Sequence, residues 1–177
     1  MWRHRKVSFP SHFNIRPSPD RVRETLFNWL QGDIAGRRCL EPFAGSGILS
    51  FEALSRGAAL VTLSETVPEV VSSLKAEADK LGALASNCDI RLTDGYALLK
   101  APPRLTDLVF LDPPFAEARF DELFEALSAE ERYPAHLLVY VESAAALPEP
   151  SYASFGFEPI KQKQAGRVTF ALFARCA

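Results

Sequence analysis

The hydrophobic and polar positions of this chain alternate between two kinds of segment. Short runs that are apolar at most positions are typical of strands buried on both faces of a sheet. We predict strands at residues 37–41, 59–65, 89–93, 107–111 and 136–143. In the segments before and between them, apolar residues recur every three or four positions, which is the spacing of an amphipathic helix. We predict helices at residues 16–30, 47–57, 68–82, 96–100 and 117–131.

The C-terminal segment departs from this alternation. Residues 157–164 and 167–175 both carry strand patterns, and Ala165 and Gly166 lie between them. This arrangement predicts an antiparallel hairpin. Alternating strands and helices of the observed length predict a parallel sheet for the rest of the chain. The predicted fold class is therefore α/β, with a seven-stranded, mostly parallel sheet, a C-terminal antiparallel hairpin and helices on both faces.

The first predicted helix has a well-marked start. Ser18 is a suitable N-cap, and Pro19 suits the first helical turn because its missing N–H would have no partner there. Apolar residues at helical spacing predict the side that faces the core. The residues expected on that side are Val22, Leu26, Trp29 and Leu30.

Composition indicates a soluble globular protein, because 47% of the 177 residues are hydrophobic and 24% are charged. No apolar run approaches the ~20 residues needed to cross a bilayer, and the start MWRHRKVSFP lacks the apolar segment of a secretory signal. The three cysteines lack CxxC spacing and the three histidines form no cluster. We therefore expect a cytoplasmic protein with reduced thiols and no bound metal.

Charge is unevenly distributed along the chain. Residues 1–23 hold six basic residues and one acid, a net charge of +5, which leaves −7 for the rest of a chain with net charge −2. A basic arm on an acidic body favours local contact with a polyanion, although a short basic terminus can also be merely solvated. We divide the chain into an arm, residues 1–17, and one domain, residues 18–177. The candidate polyanion-binding residues are Arg3, Arg5, Lys6, Arg16, Arg21 and Arg23.

A glycine-containing turn between the first strand and the second helix indicates a nucleotide site. Gly45 and Gly47 permit a tight turn and close approach of a ligand to the backbone. Ser50 stands where a dinucleotide fingerprint has its third glycine, so the pattern alone is weak evidence for NAD. Glu65 ends the next strand, where a carboxylate can accept the hydroxyl protons of a ribose in NAD or in S-adenosylmethionine.

Four acidic residues close four of the predicted strands. They are Glu41, Glu65, Asp94 and Asp112. Because open α/β sheets bind ligands at the carboxyl ends of their strands, these acids would line one cleft. A negative cleft repels the phosphates of NAD and suits a ligand with an ammonium group and a sulfonium centre. S-adenosylmethionine is such a ligand.

The segment VFLDPPFAE ends a buried strand with an acid, two prolines and an aromatic residue. Pro113 and Pro114 lack N–H donors, so this stiff backbone offers acceptors beside the Asp112 carboxylate and the Phe115 ring. Such a slot suits a flat group that carries N–H donors. Taken alone, the segment is better interpreted as a strand end capped by a Pro-Pro turn.

The motifs EPFAGSG and DPPF resemble those of class I methyltransferases that modify exocyclic amino groups of bases. With RPSPDRVRETLFNWL, FEALSRGA and AGRVTFALF, the resemblance narrows to the RsmD family, which methylates N2 of a guanine in bacterial 16S ribosomal RNA. The resemblance spans nearly the whole chain and implies a Rossmann-like fold with S-adenosylmethionine as cofactor. The expected partner is 16S ribosomal RNA within a small ribosomal subunit or its assembly intermediate, and the protein is expected to be a monomer.

The resemblance also implies roles for individual residues. Asp112, Pro113, Pro114 and Phe115 would receive the target base as the catalytic residues. The cofactor contacts that it implies are Glu41, Phe43, Gly45, Gly47, Glu65, Asp94 and Gly95.

Three other functions stay open at this point. DPPF is shared with adenine-N6 DNA methyltransferases, although the chain leaves little room for a DNA-reading domain. A non-catalytic RNA-binding or ribosome-assembly protein could keep the fold, but it would have no need of the Asp112–Phe115 cluster. A nicotinamide oxidoreductase would have to retain tight NAD binding.

Overall fold

The computed structural model describes residues 20–83, 87–114, 118–147 and 149–176. Within these residues, seven strands run in chain order: β1 (Arg38–Glu41), β2 (Leu60–Glu65), β3 (Cys88–Leu92), β4 (Leu108–Leu111), β5 (Leu138–Ser143), β6 (Phe157–Ala165) and β7 (Val168–Arg175). The same ranges contain six helices: α1 (Asp20–Trp29), α2 (Ile48–Ser55), α3 (Pro68–Lys80), α4 (Gly95–Lys100), α5 (Phe120–Ser128) and α6 (Pro150–Ala153).

All seven strands form one sheet in the order β3-β2-β1-β4-β5-β7-β6. Neighbours among β1 to β5 pair in parallel, whereas β7 pairs antiparallel with β5 and β6 antiparallel with β7. The predicted fold class, including the hairpin, is confirmed. Strand order reverses between β1 and β4, so the loops after these two strands border the crevice in which sheets of this type bind ligands.

Helices cover both faces of the sheet and bury two hydrophobic cores. One core includes Val22, Leu26 and Phe27 of α1 together with apolar residues of α2 and α3. The other core joins α4 and α5 to the opposite face of β4, β5 and β7. The apolar strand runs are buried because each strand is covered on both sides, which is the reason for their continuous hydrophobic pattern.

Several element boundaries differ from the sequence prediction. The predicted helix 117–131 is the shorter α5, and α6 was not predicted because four residues are too few to show a helical period. Phe27 of α1 is buried in addition to the predicted Val22 and Leu26 and to Leu30, which directly follows the helix, whereas Trp29 is only partly buried. The predicted cap, Ser18, lies outside the described residues.

Candidate active site

The glycine turn joins β1 to α2 at the crevice. Gly45 has φ 48° and Gly47 has φ 66°, both in the left-handed region that favours glycine. A Cβ at Gly47 would lie 2.8 Å from Leu74 Cδ2 and 2.9 Å from Leu63 Cδ2. The left-handed backbone of Gly47 thus suits the turn that the sequence predicted, and an added Cβ would push against the ends of the Leu63 and Leu74 side chains of β2 and α3.

Glu65 stands beside this turn, as its position at the end of β2 predicted. Its Oε2 accepts a hydrogen bond of 3.2 Å from the Gly45 N–H, and its Oε1 accepts one of 2.7 Å from the Thr66 N–H. The Thr66 hydroxyl also donates to Oε1 at 3.2 Å. Because a carboxylate offers about four lone-pair positions, acceptor capacity for a ribose hydroxyl remains on Oε2. Its role in cofactor binding stays a prediction that the geometry supports.

Asp94 and Gly95 bring the start of α4 against the same turn. Asp94 caps α4, because its Oδ1 accepts a hydrogen bond of 2.9 Å from the Ala97 N–H. A Cβ at Gly95 would lie only 2.5 Å from the Pro42 carbonyl oxygen and 2.6 Å from the Phe43 ring. The predicted cofactor residues Phe43, Gly95 and Asp94 are thus neighbours, although they come from two different loops.

Glu41 is placed differently from the other acids of the predicted cleft. Its side chain is buried, with 3% of the residue exposed, and its Oε2 accepts a hydrogen bond of 3.0 Å from the Ser50 N–H. Burial raises the pKa of Glu41 to about 8, and the carboxyl groups of Asp112 and Glu142 also raise it. The expectation that all four acids line an open cleft therefore needs correction for Glu41, which lies behind the turn and fastens α2 to β1.

The raised pKa of Glu41 has a consequence for stability. Between the unfolded pKa near 4.5 and the folded pKa near 8, the folded state binds more protons, so stability is lost as pH rises through that interval. One such proton corresponds to about 1.4 kcal/mol of unfolding free energy per pH unit. We expect Glu41→Gln to flatten the fall in melting temperature between pH 5 and 8, measured by thermal unfolding. Glu24→Gln, at an exposed position of α1, is the control, and an unchanged pH profile for Glu41→Gln would contradict the burial argument.

Asp112 follows β4 directly and lies on the other side of the crevice from the glycine turn. It is half-buried, and burial together with the Glu142 carboxyl raises its pKa. Pairs of acidic side chains that disfavour each other's ionisation are common at sites where one of them holds or moves a proton. Asp112 is thus in the predicted place, with a pKa closer to neutrality than an ordinary aspartate.

Glu142 and Tyr140 of β5 are part of this environment, and no sequence motif had indicated them. Glu142 is buried, and its Oε1 accepts a hydrogen bond of 2.9 Å from the Tyr140 hydroxyl. Burial and the Glu142 carboxyl raise the pKa of Tyr140, so this hydroxyl remains a donor. A polar residue that interrupts the apolar run of strand 136–143 was the signal that could have revealed Glu142.

The two prolines after Asp112 differ in exposure. Pro113 is buried and Pro114 is exposed, whereas Phe115 lies outside the described residues. Beyond that gap, Arg119 donates its backbone N–H to the Tyr96 hydroxyl at 3.0 Å, and its guanidinium carbon lies 4.2 Å from the centroid of the Tyr96 ring. Tyr96 also packs edge-on against Phe43, so Arg119 is anchored to the Asp94–Gly95 side of the crevice.

The predicted RNA-binding residues fall into two groups. Arg3, Arg5, Lys6 and Arg16 lie outside the described residues. Arg21 is exposed on α1, whereas Arg23 forms an ion pair of 3.0 Å with Asp20, one helical turn away. Arg23 therefore has a local partner in Asp20, and such a surface ion pair contributes only ~0–1 kcal/mol.

The described residues show neither a membrane-spanning helix nor a metal-binding cluster. None of their helices combines the length and apolar content needed to cross a membrane. Within the same ranges, no group of three or more His, Cys, Asp or Glu residues is arranged to hold a metal ion.

The reversed strand order, the terminal hairpin, the glycine turn and the acidic residues at the strand ends define the class of this protein: a Rossmann-like methyltransferase. Comparison with known proteins then identifies the group within that class. The family model described as conserved hypothetical protein 95 matches residues 1–174. The chain belongs to the RsmD family of methyltransferases.

Individual relatives agree with this assignment over almost the whole chain. The ribosomal RNA small subunit methyltransferase D of Haemophilus influenzae is 35% identical, with 98% of this chain and 90% of the relative covered. The protein of the same name from Escherichia coli strain K12 is 36% identical over 98% of this chain and 86% of its own. A solved structure of the Escherichia coli protein yhhF, described as a candidate methyltransferase, superimposes with a TM-score of 0.83 at 36% identity and covers 99% of this chain and 94% of that one.

Proposed function

We propose that this protein transfers the methyl group of S-adenosylmethionine to the exocyclic N2 of a guanine in 16S ribosomal RNA of the small subunit. The observation that carries the proposal is the position of Asp112 across the crevice from the glycine turn, in a chain whose relatives are named small-subunit ribosomal RNA methyltransferases. The proposed domain division is a basic arm, residues 1–17, in front of one catalytic domain, residues 18–177.

The residues around the glycine turn fit S-adenosylmethionine. The Glu65 carboxylate beside Gly45 has acceptor capacity for ribose hydroxyls, and Asp94, Gly95 and Phe43 border the same loop. Carboxylates along the crevice also favour a cationic ligand over a dinucleotide phosphate. When bound, S-adenosylmethionine supplies a methyl group on a positively charged sulfur and leaves as neutral S-adenosylhomocysteine.

Asp112 and the Pro113 carbonyl are the proposed acceptors for the two N–H groups of the guanine amino group. The nitrogen lone pair of this group is delocalised into the ring, and two acceptors in fixed positions would turn it towards the methyl carbon. In that alignment the new N–C bond forms as the S–C bond breaks, and alignment of this kind can contribute ~7–11 kcal/mol. The acceptors also stabilise the positive charge that develops on nitrogen.

The proton released by methylation requires an acceptor, and Asp112 is the proposed one. Its raised pKa makes it a better base than an ordinary aspartate, while hydrogen bonds from the amino group would favour its charged form during binding. Phe115 would stack on the target base, and base–aromatic stacking contributes ~1–3 kcal/mol per base. That part of the proposal rests on the sequence motif alone.

Substrate binding is proposed to use the basic end of the chain. Arg3, Arg5, Lys6 and Arg16 of the arm, with Arg21 of α1, would contact RNA phosphates, and Arg23 would join them if its ion pair with Asp20 opened. Because bacterial ribosomal RNA is in the cytoplasm, we propose that the protein is cytoplasmic. We also propose that it acts as a monomer. A free RNA or a partly assembled subunit would meet the same basic surface.

The test is transfer of a tritiated methyl group from S-adenosylmethionine to small ribosomal subunits from cells that lack this enzyme. After digestion of the RNA to nucleosides, we expect the label in N2-methylguanosine. Label in N6-methyladenosine would contradict the proposed base, and absence of transfer would favour a non-catalytic assembly protein. Thermal stabilisation by NAD but not by S-adenosylmethionine would favour an oxidoreductase.

A further inference from the structure

The β6–β7 hairpin returns to the edge of the sheet that carries the candidate active site. Ser143 at the end of β5 pairs with Thr169 near the start of β7, and Ala165 at the end of β6 pairs with Val168. Because β7 runs antiparallel to β5, the turn at residues 166–167 lies at the carboxyl end of the parallel strands. The hairpin tip and Asp112 therefore stand on the same edge.

The strand register connects Asp112 to the hairpin across one face of the sheet. Leu111 pairs with Val141, which places Asp112 level with Glu142. Glu142 pairs with Phe170, and Phe170 pairs with Lys163 of β6. Side chains of paired residues point to the same face of the sheet. Three strand separations of about 4.8 Å put the Lys163 Cα about 14 Å from the Asp112 Cα.

The exposed positive charge of the hairpin extends from the middle of β6 to this end. Lys161, Lys163 and Arg167 are all exposed, whereas Glu158, the single acid in the β6 sequence, lies near the opposite end of the strand. Residues 24–177 as a whole carry a net charge of −7, because residues 1–23 account for +5 of the total −2. The hairpin is thus a local basic strip, defined by Lys161, Lys163 and Arg167, on an acidic body.

Packing below the strip keeps it in a defined position. The Trp29 ring of α1 stacks on Phe170 with 5.3 Å between centroids, and Lys161 Nζ donates a hydrogen bond of 3.1 Å to the Trp29 carbonyl oxygen. Lys161 is therefore held at the C-terminal end of α1, where a cation is favoured. Lys163 and Arg167, nearer the active-site edge, are the members of the strip best placed to meet a ligand.

Edge strands often carry lysines to prevent pairing with other sheets, and that function alone would account for Lys161 and Lys163. It does not account for Arg167, which lies in the turn and outside the strand pairing. It also does not account for the charge being nearest the edge that holds Asp112. Binding of a polyanion next to the active site would account for both observations.

We propose that the basic strip of the β6–β7 hairpin binds phosphates of the RNA strand next to the target nucleotide. This inference rests on the proposed function, because it takes RNA as the substrate at Asp112. Lys163 and Arg167 would hold the backbone on one side of the crevice, while the N-terminal basic residues contact it elsewhere. Such contacts set affinity and orientation without reading the base sequence.

The test uses the full chain with Lys163→Ala and Arg167→Ala combined. Lys75→Ala combined with Arg104→Ala removes the same charge from exposed positions on α3 and before β4, and serves as the control. Binding to protein-free 16S ribosomal RNA is measured over a series of KCl concentrations without the methyl donor. We expect the hairpin variant to bind about 10-fold more weakly and its log–log salt slope to fall by about 1.4, since each lost single-strand phosphate contact removes about 0.7.

Additional measurements separate this inference from the proposed function. Lys163→Arg with Arg167→Lys should retain affinity, and both alanine variants should retain wild-type melting temperatures and S-adenosylmethionine affinity. Equal RNA affinity and salt slope in the hairpin and control variants, with normal guanine methylation, would overturn the hairpin assignment alone. Weakened binding to assembled subunits but not to protein-free RNA would also overturn it, in favour of a protein contact. Loss of RNA affinity in the hairpin variant supports the assignment even if the methylated nucleoside is not the one proposed.

Discussion

Replacement of Asp112 by Asn is expected to lower methyl transfer by about 10²–10⁴-fold while S-adenosylmethionine binding is retained. The amide has nearly the same shape as the carboxylate, but its NH₂ end would present donors to the donors of the target amino group. It would also be unable to take up the proton that methylation releases. Single-turnover transfer of labelled methyl to RNA measures the loss of methyl transfer. Calorimetric titration with S-adenosylmethionine measures whether binding of the methyl donor is retained.

Asp107→Asn is a matched control for this substitution. Asp107 immediately precedes β4, is partly buried and accepts a hydrogen bond of 3.1 Å from the Arg38 N–H, so it is an aspartate at the opposite end of the same strand. We expect this variant to affect stability and not methyl transfer. Asp112→Asn should not lower stability above neutral pH, because it removes a carboxyl whose charge is disfavoured beside Glu142. Full activity of Asp112→Asn on the natural RNA would exclude Asp112 from catalysis.

Replacement of Gly95 by Ala is expected to reduce S-adenosylmethionine affinity by at least about 10-fold. The added Cβ would lie 2.5 Å from the Pro42 carbonyl oxygen, and backbone cannot move aside as a flexible side-chain end can. The start of α4 would have to shift away from Pro42 and Phe43, which separates Asp94 from the glycine turn. Overpacking of this kind costs about 1–3 kcal/mol, so the melting temperature should fall as well.

Gly82→Ala separates loss of stability from loss of the binding site. Gly82 follows α3 with φ +69°, and a Cβ there would meet nothing within 4 Å. Its left-handed backbone should cost the alanine variant about 1–2 kcal/mol. We expect it to melt earlier while its S-adenosylmethionine affinity, measured by titration well below the melting temperature, is that of the wild type. Normal affinity in Gly95→Ala would show that α4 and the glycine turn do not form a common cofactor site.

Much of the fold was predictable because its signals are local. The buried runs of β1 to β5 are apolar on both faces, which is characteristic of a parallel sheet covered by helices. Gly47 predicted a turn because a left-handed backbone excludes most other residues, and Gly166 predicted the hairpin in the same way. The short helix α6 was missed because its four residues show no period.

The candidate site was predictable in part. Glu65, Asp94 and Asp112 lie where their positions at strand ends placed them, beside the crevice between β1 and β4. The buried state of Glu41 was not predictable, because a glutamate at a strand end can face the cleft or turn back beneath α2. Arg23 was expected to meet RNA, and only the helix geometry shows its ion pair with Asp20.

The sequence by itself determined which segments are strands and helices, where the backbone must turn, and which acids end the strands. These properties depend on periodicity and on the allowed backbone angles of single residues. The tertiary structure decided that Glu142 stands next to Asp112, that Glu41 is removed from solvent, and that Lys163 and Arg167 share an edge with the active site. These depend on strand register and burial, which bring together residues distant in the chain and change the free energy of charging them.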